Sequence, residues 1–95
     1  MLSWHTDLEL VRLVKVNLTD DHLNILLPYL RKSEKLEALV LTNNLLTDSC
    51  LDILVNYFST ERPIRSIYLG RNYIQLMKCR TKLSELRALN VNVFI

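Results

Sequence analysis

Apolar residues recur along the chain in one figure, apolar-x-x-apolar-x-apolar-x-x-(Asn or apolar)-x-apolar. It runs through Leu8, Val11, Leu13, Val16 and Leu18. It returns at Leu36, Leu39, Leu41, Asn44 and Leu46, and again at Ile64, Ile67, Leu69, Asn72 and Ile74. The three copies start 28 residues apart. A fourth, partial copy is read only 22 residues further on, as Leu86, Leu89, Val91 and Phe94. The register persists beyond the figure. Leu18-Thr19-Asp20 matches Leu46-Thr47-Asp48, and Leu23, Leu26 and Leu30 match Leu51, Leu54 and Phe58. Agreement over that many positions is more than a Leu-rich composition produces by chance, so the chain is read as a repeat protein.

Each copy predicts the same two elements. The alternation around Leu39 and Leu41 has period two, which is a half-buried strand. Thr19-Asp20 and Thr47-Asp48 are expected to cap the helices that follow, with acidic side chains near the positive end of the helix dipole. Apolar residues at i, i+3 and i+7 then form one helix face. Pro28 lies inside the first helix and is expected to disturb its last turn. Asn44 and Asn72 stand where the chain leaves a strand, and an amide there can satisfy backbone groups that the turn leaves unpaired. The third unit reads six residues short. Its connector, 75–82, has room for a short helix or a 3₁₀ turn.

A strand-plus-helix unit cannot bury its apolar side alone. Stacked units share one core, with parallel strands on one face and helices on the other. Helices are wider than strands, so the strand face is expected to be concave. The run from Leu36 through Asn44 to Asp48 resembles a leucine-rich repeat. The 28-residue period and the Leu-Thr-Asp turn before a helix are similar to the ribonuclease-inhibitor-like subclass. The resemblance covers roughly residues 8–95 and implies an α/β leucine-rich-repeat solenoid. One domain, 1–95, would hold about three full repeats and a fourth strand. Val16 departs from the pattern, as in a terminal repeat. The figure runs out at Ile95 with no polar closing unit, as in a fragment or a chain whose end a partner covers.

Alternation turns Leu39 and Leu41 inward and sends Ala38, Val40 and Thr42 out. The equivalent outward sets are Leu10, Arg12 and Val14; Ser66, Tyr68 and Gly70; and Ala88, Asn90 and Asn92. An exposed band of small and apolar residues marks a partner surface, and Tyr and Arg are enriched where binding energy concentrates. Arg12, Val14, Val40, Thr42, Tyr68, Gly70, Asn90 and Asn92 are the candidate protein-binding residues. Arg12, Val40, Tyr68 and Asn90 form the expected central row. Trp4 is expected to fold over the N-terminal edge of the core.

Charge adds a second, weaker candidate. Residues 1–60 carry five Lys/Arg against eight Asp/Glu, and residues 61–95 carry seven against two. The C-terminal third is therefore basic. Arg62, Arg65, Arg71, Lys78, Arg80, Lys82 and Arg87 supply that charge, with Arg71, Lys78, Arg80 and Lys82 as the candidate patch. RNA or an acidic polymer such as a tubulin tail would suit it, in a ribonucleoprotein or cytoskeletal assembly, and such binding would be salt-dependent. A solvated rim is the plainer reading.

Little points to chemistry. Cys50 and Cys79 are separated by nearly one repeat and lack metal-site spacing, so they are read as structural core thiols. His5 and His22 have no visible nucleophile beside them. The single glycine, Gly70, cannot build a phosphate-cradling loop. No enzyme, cofactor or metal is expected. The first residues lack a basic stretch followed by an apolar one, and no apolar run reaches a membrane span. An intracellular, cytoplasmic protein with reduced thiols is expected. It is read as a scaffold or assembly subunit, or, by analogy with the repeat subclass, a regulator of an enzyme such as a small GTPase or a nuclease.

Overall fold

The computed structural model describes residues 9–30, 35–61 and 63–95. Leu8, Trp4, His5 and Arg62, which figure in the reading above, lie outside the described residues. Seven elements alternate along the chain: β1 (Leu10–Arg12), α1 (Asp20–Leu30), β2 (Ala38–Val40), α2 (Ser49–Thr60), β3 (Ser66–Tyr68), α3 (Arg80–Ala88) and β4 (Asn92–Phe94). The fold is α/β. Its four strands form one parallel sheet in sequential order, β1-β2-β3-β4. Helices pack in the same order, α1 on α2 and α2 on α3.

The 28-residue period is the register of the sheet. Leu10, Val11 and Arg12 pair with Ala38, Leu39 and Val40. Those pair in turn with Ser66, Ile67 and Tyr68. The inward residues of the strands meet the apolar faces of the helices in one core. Leu39, Leu41, Ile67 and Leu69 are fully enclosed with Leu23, Leu51, Leu54 and Leu86. Hydrophobic burial of this kind contributes roughly 1.5–3 kcal/mol per large side chain. α1 runs through Pro28 to Leu30.

The fourth unit differs from its expectation. Ser66, Ile67 and Tyr68 pair with Asn92, Val93 and Phe94, a step of 26 residues rather than 22. The third unit is thus two residues short of the others, which leaves room for a nine-residue helix, α3, where a single turn was expected. The error has a physical source. Leu86 and Leu89 mimic the start of the repeat figure, but Leu86 is a core residue of α3. Asn90 follows at φ 68° and closes the helix in the left-handed conformation that Asn tolerates. Ala88 and Asn90 are therefore a helix end, and the inward residues are Val91 and Val93.

Two sets of side-chain bonds stitch one unit to the next. Asn44 is buried at 4% exposure. Its Oδ1 accepts from the backbone N–H of Val16 and Leu18 at 3.1 and 3.0 Å. Its Nδ2 donates to the carbonyls of Leu13, Leu41 and Thr42. Asn72 repeats the arrangement one unit later. It accepts from Asn44 and Leu46 and donates to Leu41, Leu69 and Gly70. Each amide closes its own turn and joins it to the preceding one.

The second set comes from the aspartates expected to act as caps. Thr19 does cap α1: its Oγ1 accepts the N–H of His22, and His22 Nδ1 accepts the N–H of Thr19 in return. This is the reciprocal logic of a capping box, with His where Glu or Gln usually stands. Asp48 occupies the cap position of α2 but makes no side-chain cap bond. Instead its Oδ1 accepts the N–H of Gln75 at 2.6 Å. Asp20 does the same to Thr47 N–H at 3.0 Å and also accepts from the Thr47 hydroxyl. Both carboxylates reach forward 27 residues and tether the loop of the following unit.

Candidate functional site

The outward side chains of the sheet stand in rows set by the register. One row is Leu10, Ala38, Ser66 and Asn92; the next is Arg12, Val40, Tyr68 and Phe94. Asn92 keeps its expected place on the outer face. Asn90 does not belong to the central row; the fourth member is Phe94, which the sequence reading had placed in the Asn slot. Tyr68 and Phe94 lie flat against each other, ring centroids 4.7 Å apart and planes 11° from parallel. Phe94 keeps 49% of its surface exposed, and Leu10 at the opposite side of the sheet keeps 54%. Val40 and Tyr68 are half-buried and Arg12 is exposed. The row therefore grades from a guanidinium, through an aliphatic side chain, to two stacked rings.

Beyond this row lie Val14, Thr42 and Gly70. Thr42 Cγ2 lies 3.8 Å from where a β-carbon on Gly70 would sit, an ordinary contact. Gly70 is not in the left-handed region. Five other residues are, and three of them recur at the repeat spacing: Lys15, Asn43 and Arg71, at φ 57°, 59° and 57°. The turn after each strand thus has one backbone shape whatever side chain occupies it.

The basic patch is only partly available. Lys82 Nζ sits 3.3 Å from both Asp52 and Glu85. Hydrogen bonds to those two carboxylates, Glu85 foremost, push its pKa up and hold it charged within a local network. Arg71, Lys78 and Arg80 are exposed. They are dispersed over the turn after β3, the connector that follows and the start of α3.

Comparison with known protein families, curated proteins and solved structures finds no match. What the molecule can do is therefore read from its own groups.

The two thiols are free and buried. Burial pushes the Cys50 thiol far above its ordinary value, with Asp20 adding to the effect. Cys79 is raised as well, by burial first and then by its hydrogen bond to Asp48. Neither is the low-pKa thiolate that nucleophilic or redox chemistry needs. Among the described residues, no three His, Cys, Asp or Glu side chains converge to hold a metal ion. Among them, too, no helix is long and apolar enough to cross a membrane.

Phe94 and its stack with Tyr68 were missed because the fourth strand was placed four residues early. A Gly or Asn closing signal at the end of α3 would have found it.

Proposed function

We propose that this chain is a leucine-rich-repeat module of the ribonuclease-inhibitor-like type. It serves as a non-enzymatic protein-binding or assembly subunit, with the strand face as its concave binding side. The 28-residue parallel register, the amide ladder of Asn44 and Asn72, and the helix on each crossover support the repeat assignment. The observation that carries the binding assignment is the row Arg12–Val40–Tyr68–Phe94. An apolar band ending in two stacked, half-open rings is costly to leave in water, and it has the residue types that anchor protein partners. Two ring faces on adjacent strands offer a rigid platform with little side-chain entropy to lose.

The test is site-specific photocrosslinking in cells. A benzophenone side chain placed at Val40 is expected to capture a discrete protein partner, and Tyr68→Ala with Phe94→Ala is expected to abolish that capture. A benzophenone at Ile25, exposed on α1, serves as the control. Capture of the same species from Ile25, or capture from Val40 that survives loss of both rings, removes the strand face as the site.

A further inference from the structure

β4 is the outermost strand of the sheet. The N–H of Asn92 donates to Arg65 and the carbonyl of Phe94 accepts from Leu69, so the backbone groups of these two residues face β3. Strand alternation then turns the N–H and C=O of Val93 away from β3, along the outer edge, and sets Ile95 in the same phase. The side chain of Arg87, at the end of α3, comes over this edge. Its Nη2 lies 3.5 Å from the outward carbonyl of Val93. That separation is at the long limit for a hydrogen bond, so the contact is readily exchanged for a better one.

The edge borders a cleft of about 560 Å³ lined by Arg65, Arg87 and the run from Asn90 to Phe94. Two guanidinium groups and two amides line it, and no carboxylate does. Among the described residues neither Arg65 nor Arg87 is ion-paired, in contrast with Lys82. Exposed backbone donors and acceptors in a row, flanked by unneutralised arginines, are complementary to one kind of occupant. We infer that the outer edge of β4 accepts an extended acidic polypeptide segment as a fifth strand, with its carboxylates between Arg65 and Arg87. Main-chain bonds to Val93 and Ile95 would hold the segment, and the arginine forks would select for Asp or Glu side chains. This goes beyond the strand-face reading and uses different residues, so the two fail independently.

The probe is a fluorescein-labelled ten-residue peptide of alternating Glu and Val, compared with its Lys and Val counterpart. The Glu peptide is expected to bind in an anisotropy titration, and the Lys peptide is not. Arg65→Gln with Arg87→Gln is expected to weaken binding by about tenfold or more, since each charge-assisted bond is worth roughly that factor. Both arginines are exposed, and the circular dichroism and melting of the double variant are expected to match the parent. Bound Glu peptide is expected to slow amide hydrogen exchange at Val93 and Ile95. Equal binding of the two peptides overturns the inference. So does unchanged exchange at Val93 and Ile95, or tighter binding of a uridine oligonucleotide than of the Glu peptide. Undiminished peptide binding by an arginine variant that self-associates also overturns it, because Arg87 would then be guarding the edge against pairing.

Discussion

Asn44 and Asn72 are joined head to tail: the side-chain oxygen of Asn72 accepts the backbone N–H of Asn44 at 3.1 Å, and both amide nitrogens donate to the same carbonyl, that of Leu41. Removing Asn44 would leave five backbone groups, those of Val16, Leu18, Leu13, Leu41 and Thr42, without its amide. Each buried group stranded in this way costs about 1–3 kcal/mol. Asn44→Ala is expected to lose at least about 3 kcal/mol in urea denaturation. Asn44→Asp is expected to do no better, since a carboxylate cannot donate to three carbonyls. Asn72→Ala is expected to cost less, because Asn72 is only half-buried.

Leu39→Ala and Leu41→Ala each empty a fully enclosed site. Each is expected to cost about 2–5 kcal/mol, against a total of roughly 5–15 kcal/mol for a domain at best. Tyr68→Ala or Phe94→Ala is expected to cost stability less than about 1.5 kcal/mol, the worth of an aromatic pair plus partial burial. Chemical denaturation of the four variants side by side separates core from surface. If the Leu variants melt like the parent, the inward assignment of the strands is wrong.

Acid should loosen the loops before it reaches the core. The N–H of Gln75 bonds the carboxylate of Asp48 and holds its pKa below the ordinary 3.8, with the Cys79 thiol helping and Lys78 adding a smaller pull. A lowered carboxyl pKa contributes stability that is present above the unfolded value and lost as pH falls through the folded one. Asp48→Asn is therefore expected to melt below the parent at neutral pH. The gap should begin to close below about pH 5 and be gone near pH 2, as read from thermal melts across that range.

The thiols offer a check on packing. Cys50 and Cys79 are both buried with raised pKa values, so Ellman's reagent is expected to label them slowly in the native protein at pH 8. Denaturant should make both react at the rate of a free thiol. Rapid native labelling of Cys50 would mean that the α1–α2–α3 side opens readily.

The repeating left-handed turn makes a prediction of the opposite sign. Lys15 and Arg71 hold φ values that side chains with a β-carbon resist, where Asn43 is better suited. Arg71→Gly or Lys15→Gly is expected to raise stability by about 0.5–1 kcal/mol, the relieved strain exceeding the entropy lost on ordering glycine.

Much of this architecture was legible because period 28 appears in both the letters and the register. Val11, Leu39 and Ile67 were aligned from the sequence, and the sheet pairs them. The amides of Asn44 and Asn72 were likewise placed at the turns from their position alone. The fourth strand was not legible in the same way. Matching apolar letters cannot tell a leucine on a helix face from one on a strand, so Leu86 and Leu89 captured the alignment and hid Phe94. The carboxylates of Asp20 and Asp48 were seen as a repeated feature, but local rules assign such residues to caps. Their true partners lie a whole unit away, at a distance in sequence where no capping rule looks. The stack of Tyr68 on Phe94 depends on both, since it exists only once the step of 26 residues is known.

The amide ladder also bears on how long such a chain can be. Asn44 receives from the turn behind it, and its own N–H is received by the Asn72 amide of the turn ahead. The stretch from Leu36 to Pro63 thus carries, on its two sides, matching halves of one joint. A duplicate of that stretch set in tandem would find its counterpart already shaped at both seams. Growth by whole insertions would then disturb nothing, whereas an insertion of any other length must unmake a joint. On this molecule, length is inherited in units, and the closing amide is the mark that counts them.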